Sequence, residues 1–256
     1  MGNEVLLRTD GLGMLFSTKK GTITALKDLS FEVQNSEFLA IVGPSGCGKS
    51  TLINILAGML IPSEGQVMLD GAPVTRVSAK VGMVFQKYAA FPWMTVKQNV
   101  SYGPRIARLP KEEISELTER YIKMVGLEGY EHLYPKELSG GMSKRVDIAR
   151  AYANRPEVLL MDEPFGALDD ITKKQMQLEL LKIWDMENKT VLFITHDLEE
   201  AIFLADRVLV LRRPNETNGS LNFMQEISFS RPRLPELRAE PDFIALKTHL
   251  TEVMVK

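Results

Sequence analysis

Apolar residues fall along this chain in two patterns, solid runs of strand length and stripes at helical spacing. Phe38-Leu39-Ala40-Ile41-Val42, Val158-Leu159-Leu160-Met161 and Val191-Leu192-Phe193-Ile194-Thr195 are near-continuous apolar runs. That is how strands read when a parallel sheet is covered on both faces. Val81 to Phe85 and Val208 to Leu211 are shorter runs of the same kind. Leu29-Ser30-Phe31-Glu32-Val33 alternates instead, and with Val5-Leu6-Leu7 it predicts a small antiparallel sheet near the N-terminus. Val67-Met68-Leu69 reads as another strand, ending at Asp70-Gly71. Helical stripes lie between. Leu52, Ile53, Ile55, Leu56 and Met59 form one, and Ile114, Leu117, Tyr121, Met124 and Val125 another. Further helices are predicted over about 140–153, over 172–187 through Met176, Leu180 and Ile183, and from Leu198 to Ala205. Alternating strands and helices imply an α/β domain with a mostly parallel sheet. Residues 88–153 carry helical patterns and no comparable strand, so they read as an inserted helical subdomain. Residues 213–256 are polar, proline-rich and basic at Arg231-Pro232-Arg233, then helical, and read as an appendage.

Composition narrows this only a little. A chain of 256 residues, 45% hydrophobic and 25% charged, suits one large domain or a core with an insert. The net charge of −2 and the lack of a long basic run give no sign of a nucleic-acid surface. The apolar runs fall far short of the roughly 18 residues of a membrane span. The N-terminus, Met1-Gly2-Asn3-Glu4, has no signal-peptide pattern, and its Met-Gly is a weak lipidation signal. Cys47 is the only cysteine, so no intrachain disulfide forms. A cytoplasmic protein is expected.

Candidate chemistry enters after the first solid run. Gly43-Pro44-Ser45-Gly46-Cys47-Gly48-Lys49-Ser50-Thr51 fits G-x-x-x-x-G-K-[ST], between a strand and a helix, which is the setting a P-loop requires. Its glycines let successive backbone N–H groups face inward as an anion nest. A helix beginning near Lys49 adds its positive end. Lys49 is expected to reach the β- and γ-phosphates, and the Ser50 hydroxyl to ligate Mg²⁺. Cys47 lies among amides that would lower a thiol pKa, though its side chain reads as space-filling. A second run ends in Asp162-Glu163. Beside a P-loop this suits Asp162 as a Mg²⁺ ligand through water and Glu163 as general base, where elsewhere it would read as a plain acidic turn. Leu138-Ser139-Gly140-Gly141-Met142 precedes a helix, with Ser139 as N-cap. It reads as a capped turn or as a second anion site.

The order decides between these readings: P-loop, Gln86, Leu-Ser-Gly-Gly, Asp-Glu-Pro, Ala167-Leu168-Asp169, Thr195-His196-Asp197. It resembles the nucleotide-binding subunit of an ABC transporter over nearly the whole chain to about Arg212. The resemblance implies a P-loop NTPase (RecA-like) core with an antiparallel β subdomain and an inserted helical subdomain. The core would be 1–87 and 154–212, the helical subdomain 88–153, and 213–256 a C-terminal extension. It implies ATP and Mg²⁺ as ligands, with Gly43 to Thr51 around the phosphates and Ser50, Gln86 and Asp162 at the metal. Glu163, His196 and Lys49 would serve hydrolysis, His196 as the switch histidine near the γ-phosphate. Gln86 would also touch the membrane partner. Ser139, Gly140, Gly141 and Met142 would contact ATP bound mainly by another subunit, with Asp169 at the dimer seam. Phe16 matches an adenine-stacking aromatic, and an ordinary strand residue is the competing reading. The chain departs from the common pattern at Met142, Ser143-Lys144 and Asp147. Met142 with Phe91-Pro92-Trp93 is similar to the branch serving nitrate, sulfonate and taurine importers, although those aromatics could equally be core packing. The implied partners are a second copy or a paralogue, transmembrane permease subunits and, indirectly, a solute-binding protein, with no nucleic acid. The implied place is peripheral, at the cytoplasmic face of the cell membrane. Two alternatives stay open: a soluble ABC-type ATPase acting on nucleic acid or ribosomes, and a P-loop phosphotransferase.

Overall fold

The computed structural model describes residues 4–19, 21–215 and 218–255. Two compact units divide the chain, Met1–Ser78 with Lys189–Lys256, and Ala79–Asn188.

The first unit opens with a long hairpin, β1 (Val5–Thr18) and β2 (Gly21–Gln34), paired antiparallel. Next come β3 (Phe38–Val42), α1 (Lys49–Leu56), β4 (Glu64–Leu69) and the short β5 (Ala72–Pro73). β1 also pairs antiparallel with β4, giving the sheet order β2-β1-β4-β5. This is the small antiparallel sheet expected from residues 5–7 and 29–33, but each arm of the hairpin runs for 14 residues. Its tips are largely polar and exposed, so apolar pattern alone cannot reveal them.

In the second unit, β6 (Val81–Val84) is followed by α2 (Val96–Ile106), α3 (Lys111–Met124), α4 (Gly140–Ala153), β7 (Val158–Asp162) and α5 (Asp170–Glu187). β6 and β7 pair in parallel. Three of these helices match the predicted ones closely, and α2 was not foreseen. Its Gly103-Pro104 disguises a helix that a capping box starts firmly: Thr95 Oγ1 accepts from the Gln98 N–H at 3.3 Å and Gln98 Oε1 from the Thr95 N–H at 2.9 Å. A side chain at Gly103 would collide with Asn154, so that position is glycine for packing. Leu117, Tyr121, Ile122 and Val125 of the α3 region bury with Val146, Ile148 and Tyr152 of α4.

The chain then returns to the first unit with β8 (Thr190–Ile194), α6 (Leu198–Leu204), β9 (Arg207–Leu211), β10 (Leu221–Glu226) and α7 (Pro241–Val255). β3 lies between β8 and β9, parallel to both. All five residues of β3 and of β8 are buried, which explains their unbroken apolar runs. Beyond Arg212, β10 adds to β9 antiparallel, and Phe243 and Leu250 of α7 are fully buried. Among the described residues no helix is long and apolar enough to cross a membrane.

Candidate functional site

The P-loop leaves the end of β3 and is closed by steric necessity. A Cβ at Gly43 would lie 2.7 Å from both the Cys47 sulfur and the Leu211 carbonyl oxygen. Gly48 sits at φ +100, where a Cβ would come within 2.4 Å of the Ala25 carbonyl oxygen. Only glycine permits this turn, and it delivers the chain straight into α1. No side chain caps α1 and its first turn holds no acidic residue, so its positive end is left to an anion. Lys49 is nearly buried. Its ammonium donates to the carbonyls of Gly43 at 2.7 Å and Pro44 at 3.1 Å, engaging two of its three N–H groups. Ser50, half a turn into α1, is exposed.

Cys47 reverses the sequence expectation. Its side chain is completely buried, and burial pushes the thiol pKa up. Lys49 and nearby backbone amides pull the other way but do not prevail. Arg213, which nothing in the sequence marked, donates to the Ser45 carbonyl oxygen through Nη2 at 2.6 Å and Nε at 3.1 Å.

His196 is exposed in the turn after β8. A local network sets that turn. Thr195 Oγ1 donates to the Glu200 carboxylate and accepts the Asp197 N–H, while the Asp197 carboxylate caps α6 through the N–H groups of Glu199 and Glu200. The far end of α6 is held by the basic tripeptide of the tail. Arg233 donates to the carbonyls of Ile202, Phe203 and Ala205, and Arg231 to that of Leu204. Burial, with the neighbouring Arg231, brings the Arg233 pKa down to about 10. Phe16 lies on β1 opposite Ile23 and is 37% exposed, so its ring is presented to solvent.

In the second unit, β7 ends at Asp162 and the next residue, Glu163, has φ +41. A glutamate in the left-handed region costs about 1–3 kcal/mol and marks a position held by its surroundings. Gln86 follows β6, and its Nε2 donates to Glu163 Oε2 at 3.1 Å. The two strands thus bring Gln86 to Glu163 across 77 residues of sequence. Ser139 caps α4, accepting the Met142 N–H at 3.2 Å. Gly140 faces the Tyr88 hydroxyl, which a Cβ would approach to 2.5 Å. An open cleft of about 310 Å³ adjoins Ser139, Gly141 and Met142. Asp169 caps α5 through the Thr172 N–H, and that bond holds its carboxyl below the usual range.

The sequence profile described as ABC transporter matches residues 26–166. An uncharacterized ABC transporter ATP-binding protein of Methanocaldococcus jannaschii is 48% identical over 231 residues, 90% of this chain and 85% of the relative. This chain belongs to the ABC transporter family. The nitrate import ATP-binding protein NrtD of Synechococcus elongatus is 42% identical to it over 260 residues, 99% of this chain and 93% of that protein. Among solved structures, a dimeric ATP-binding cassette in a post-hydrolysis state bound to ADP and Pi superposes with a TM-score of 0.75 at 30% identity. It covers 88% of this chain and all of the other. The α/β architecture with its antiparallel sheet is that of an ABC cassette.

The hard-oxygen set suggested for Mg²⁺ is Ser50, Gln86 and Asp162, a hydroxyl, an amide and one carboxylate. Among the described residues no three His, Cys, Asp or Glu side chains gather as a transition-metal site would require. Hydroxyl, amide and carboxylate oxygens are each donor types suited to Mg²⁺, an ion that keeps waters and shares phosphate oxygens. The aromatic stretch after Gln86 is divided. Trp93 is 69% and Tyr88 46% exposed, whereas Phe91 is half-buried, stacked on Trp93 at 5.5 Å and edge-on to Tyr102 at 4.8 Å.

Proposed function

We propose that this chain is the ATP-hydrolysing subunit of an importer for a small anion or sulfonate-like solute. The observation that carries the ATP-hydrolysing role is the uncapped α1 behind a glycine-turned loop, with a strained Glu163 held to Gln86, while import and the solute class rest on the nitrate import relative. In this reading Gly43 to Thr51 wrap the phosphates, their N–H groups and Lys49 supplying the binding. Ser50, Gln86 and Asp162 would hold Mg²⁺, which would supply neutralisation of phosphate charge. Glu163 accepts the proton of the attacking water as the water oxygen bonds to the γ-phosphorus and the bridging oxygen leaves with ADP. His196 donates to the γ-phosphate, and Phe16 stacks on adenine. Ser139 to Met142 of a second copy complete the nucleotide's surroundings, with Asp169 at the seam. The solved dimeric cassette and the NrtD relative support these assignments. We read 1–87 with 154–212 as the nucleotide-binding core, 88–153 as the helical insert and 213–256 as an extension.

The subunit works at the cytoplasmic face of the membrane against permease subunits, which receive solute from a binding protein. The coupling patch is the exposed pair Tyr88 and Trp93, with Phe91 as its internal support. The test is uptake and co-purification in cells. Trp93→Ser is expected to impair both while the purified chain still binds ATP. Normal uptake by Trp93→Ser would place the coupling surface elsewhere. Transfer of phosphate to an acceptor in place of simple MgATP hydrolysis would favour a phosphotransferase.

A further inference from the structure

The segment from Phe85 to Ala89 contains Gln86, yet no strand or helix of its own secures it. Its backbone is gripped instead by three charged side chains from one helix. Lys144 and Asp147 of α4 are 0% and 1% exposed at the side chain, and their charges lie 3.6 Å apart. The Lys144 ammonium donates to the carbonyl of Phe85 at 2.8 Å and to that of Gln86 at 3.2 Å. The Asp147 carboxylate accepts the Ala89 N–H, at 3.1 Å to Oδ2. Arg150, one turn further, donates to the Ala89 carbonyl at 2.7 Å. The same cations lie against the segment's rings, Lys144 at 5.3 Å from the Tyr88 centroid and Arg150 at 4.8 Å from that of Phe91. Beyond it, buried Asn99 of α2 fixes Phe91 by accepting its N–H and donating to its carbonyl.

These groups are costly to bury. Desolvation lowers the Lys144 pKa and raises that of Asp147. A buried ion pair is often no more stabilising than apolar residues of the same volume, so fold stability alone does not account for it. What the pair does is satisfy an irregular backbone from a helix whose first turn is Gly140-Gly141-Met142. Carbonyls bound to a buried ammonium cannot swing to water without leaving its N–H donors unsatisfied.

We propose that Lys144, Asp147 and Arg150 are positioning residues that fasten the Gln86 segment to α4, so that Gln86 and the Ser139–Met142 turn move as one body. Lys144 acts on Gln86 through its carbonyl and thereby sets where the Gln86 amide meets Glu163. A displacement of the turn at Ser139 reaches Gln86 and Trp93 through this clamp instead of dissipating in a loop. This inference rests on the roles proposed for Gln86 and Glu163.

The test replaces the pair jointly, which avoids an orphaned charge. In Lys144→Met/Asp147→Leu, amide exchange at Ala89 is expected to accelerate by about tenfold or more, the cost of one lost buried bond. MgATP turnover should fall by about tenfold with MgATP affinity within about threefold, because the binding groups of the P-loop are untouched. Lys144→Met/Asp147→Asn keeps an acceptor for Ala89 without orphaning a charge and is expected to restore slow exchange there. Arg150→Met releases the Ala89 carbonyl, the Phe91 ring and a longer 3.9 Å pairing with Asp147, leaves the Lys144–Asp147 pair in place, and should show a smaller effect of the same kind. Unchanged exchange in both Lys144→Met/Asp147→Leu and Arg150→Met overturns the clamp. Turnover and affinity falling together with thermal stability would show a merely structural role and also overturn it. Gln86→Ala separates the two claims: native turnover there defeats the Gln86 reading, while the exchange results still decide the clamp.

Discussion

Replacing Glu163 with glutamine removes a charge and almost nothing else. Glutamine keeps the length of the side chain and an oxygen able to accept from Gln86 Nε2, now 3.1 Å from the carboxylate. It also pays the same backbone strain at φ +41, since neither residue is glycine. The stability change reduces to a charged acceptor becoming a neutral one. That difference is about 1 kcal/mol at most, and less here because Glu163 is half-exposed. For a chain of this size the melting temperature should move by no more than about 2–4 °C. Catalysis responds differently. A general base contributes about 10²–10⁴-fold, or about 2.7–5.5 kcal/mol of barrier, and an amide cannot accept the proton. ATP affinity should stay within about threefold, because the proposed binding groups, the loop amides and Lys49, are untouched. The assay is phosphate release at saturating MgATP, beside nucleotide titration and the thermal melt. Size-exclusion chromatography with ATP is expected to show a persistent dimer, since closure without hydrolysis has no release. Turnover within tenfold of native would refute the role given to Glu163. A fall of about 10 °C with lost ATP binding would show that Glu163 is a structural residue.

The remaining predictions follow from the same geometry. Gly48→Ala forces a Cβ to 2.4 Å from a backbone oxygen at φ +100 and should cost about 3 kcal/mol or more, whereas Gly71→Ala, at φ +69 with nothing within 4 Å, should cost about 1 kcal/mol; equal melting temperatures would contradict this. Cys47, buried and with its thiol pKa raised, should alkylate slowly at pH 8 in the native protein and quickly in denaturant, while Cys47→Ala stays active; native labelling at the rate of a free thiol would sink it. Arg233→Met strands three carbonyls at the end of α6 and should cost about 2–3 kcal/mol, with Arg233→Lys intermediate in the melt; a melt unchanged in both variants would mean that the tail does not hold α6.

Part of this fold is written in local sequence and part is not. The P-loop was legible because a fixed spacing of glycines, lysine and serine has one physical solution between a buried strand and a helix. The solid apolar runs at 38–42, 158–161 and 191–195 announced β3, β7 and β8, because strands covered on both faces tolerate no polar alternation. The helix over 140–153 was readable from its serine cap and stripe. Tertiary structure alone decided the rest. The raised Cys47 thiol depends on how completely the loop closes over it, which outweighs the local amides that suggested the opposite. The tip of the long β1–β2 hairpin is polar and exposed and carries no periodic signal, and β1 is held on its other side by the distant β4. Arg213 meets Ser45 across 168 residues. Lys144 and Asp147 were visible only as departures from a pattern. Whether such charges pair with each other or face solvent cannot be told until burial is known. A chain specifies its own turns and periods by short-range sterics, but the partner of a buried charge is chosen by whatever backbone the fold carries past it.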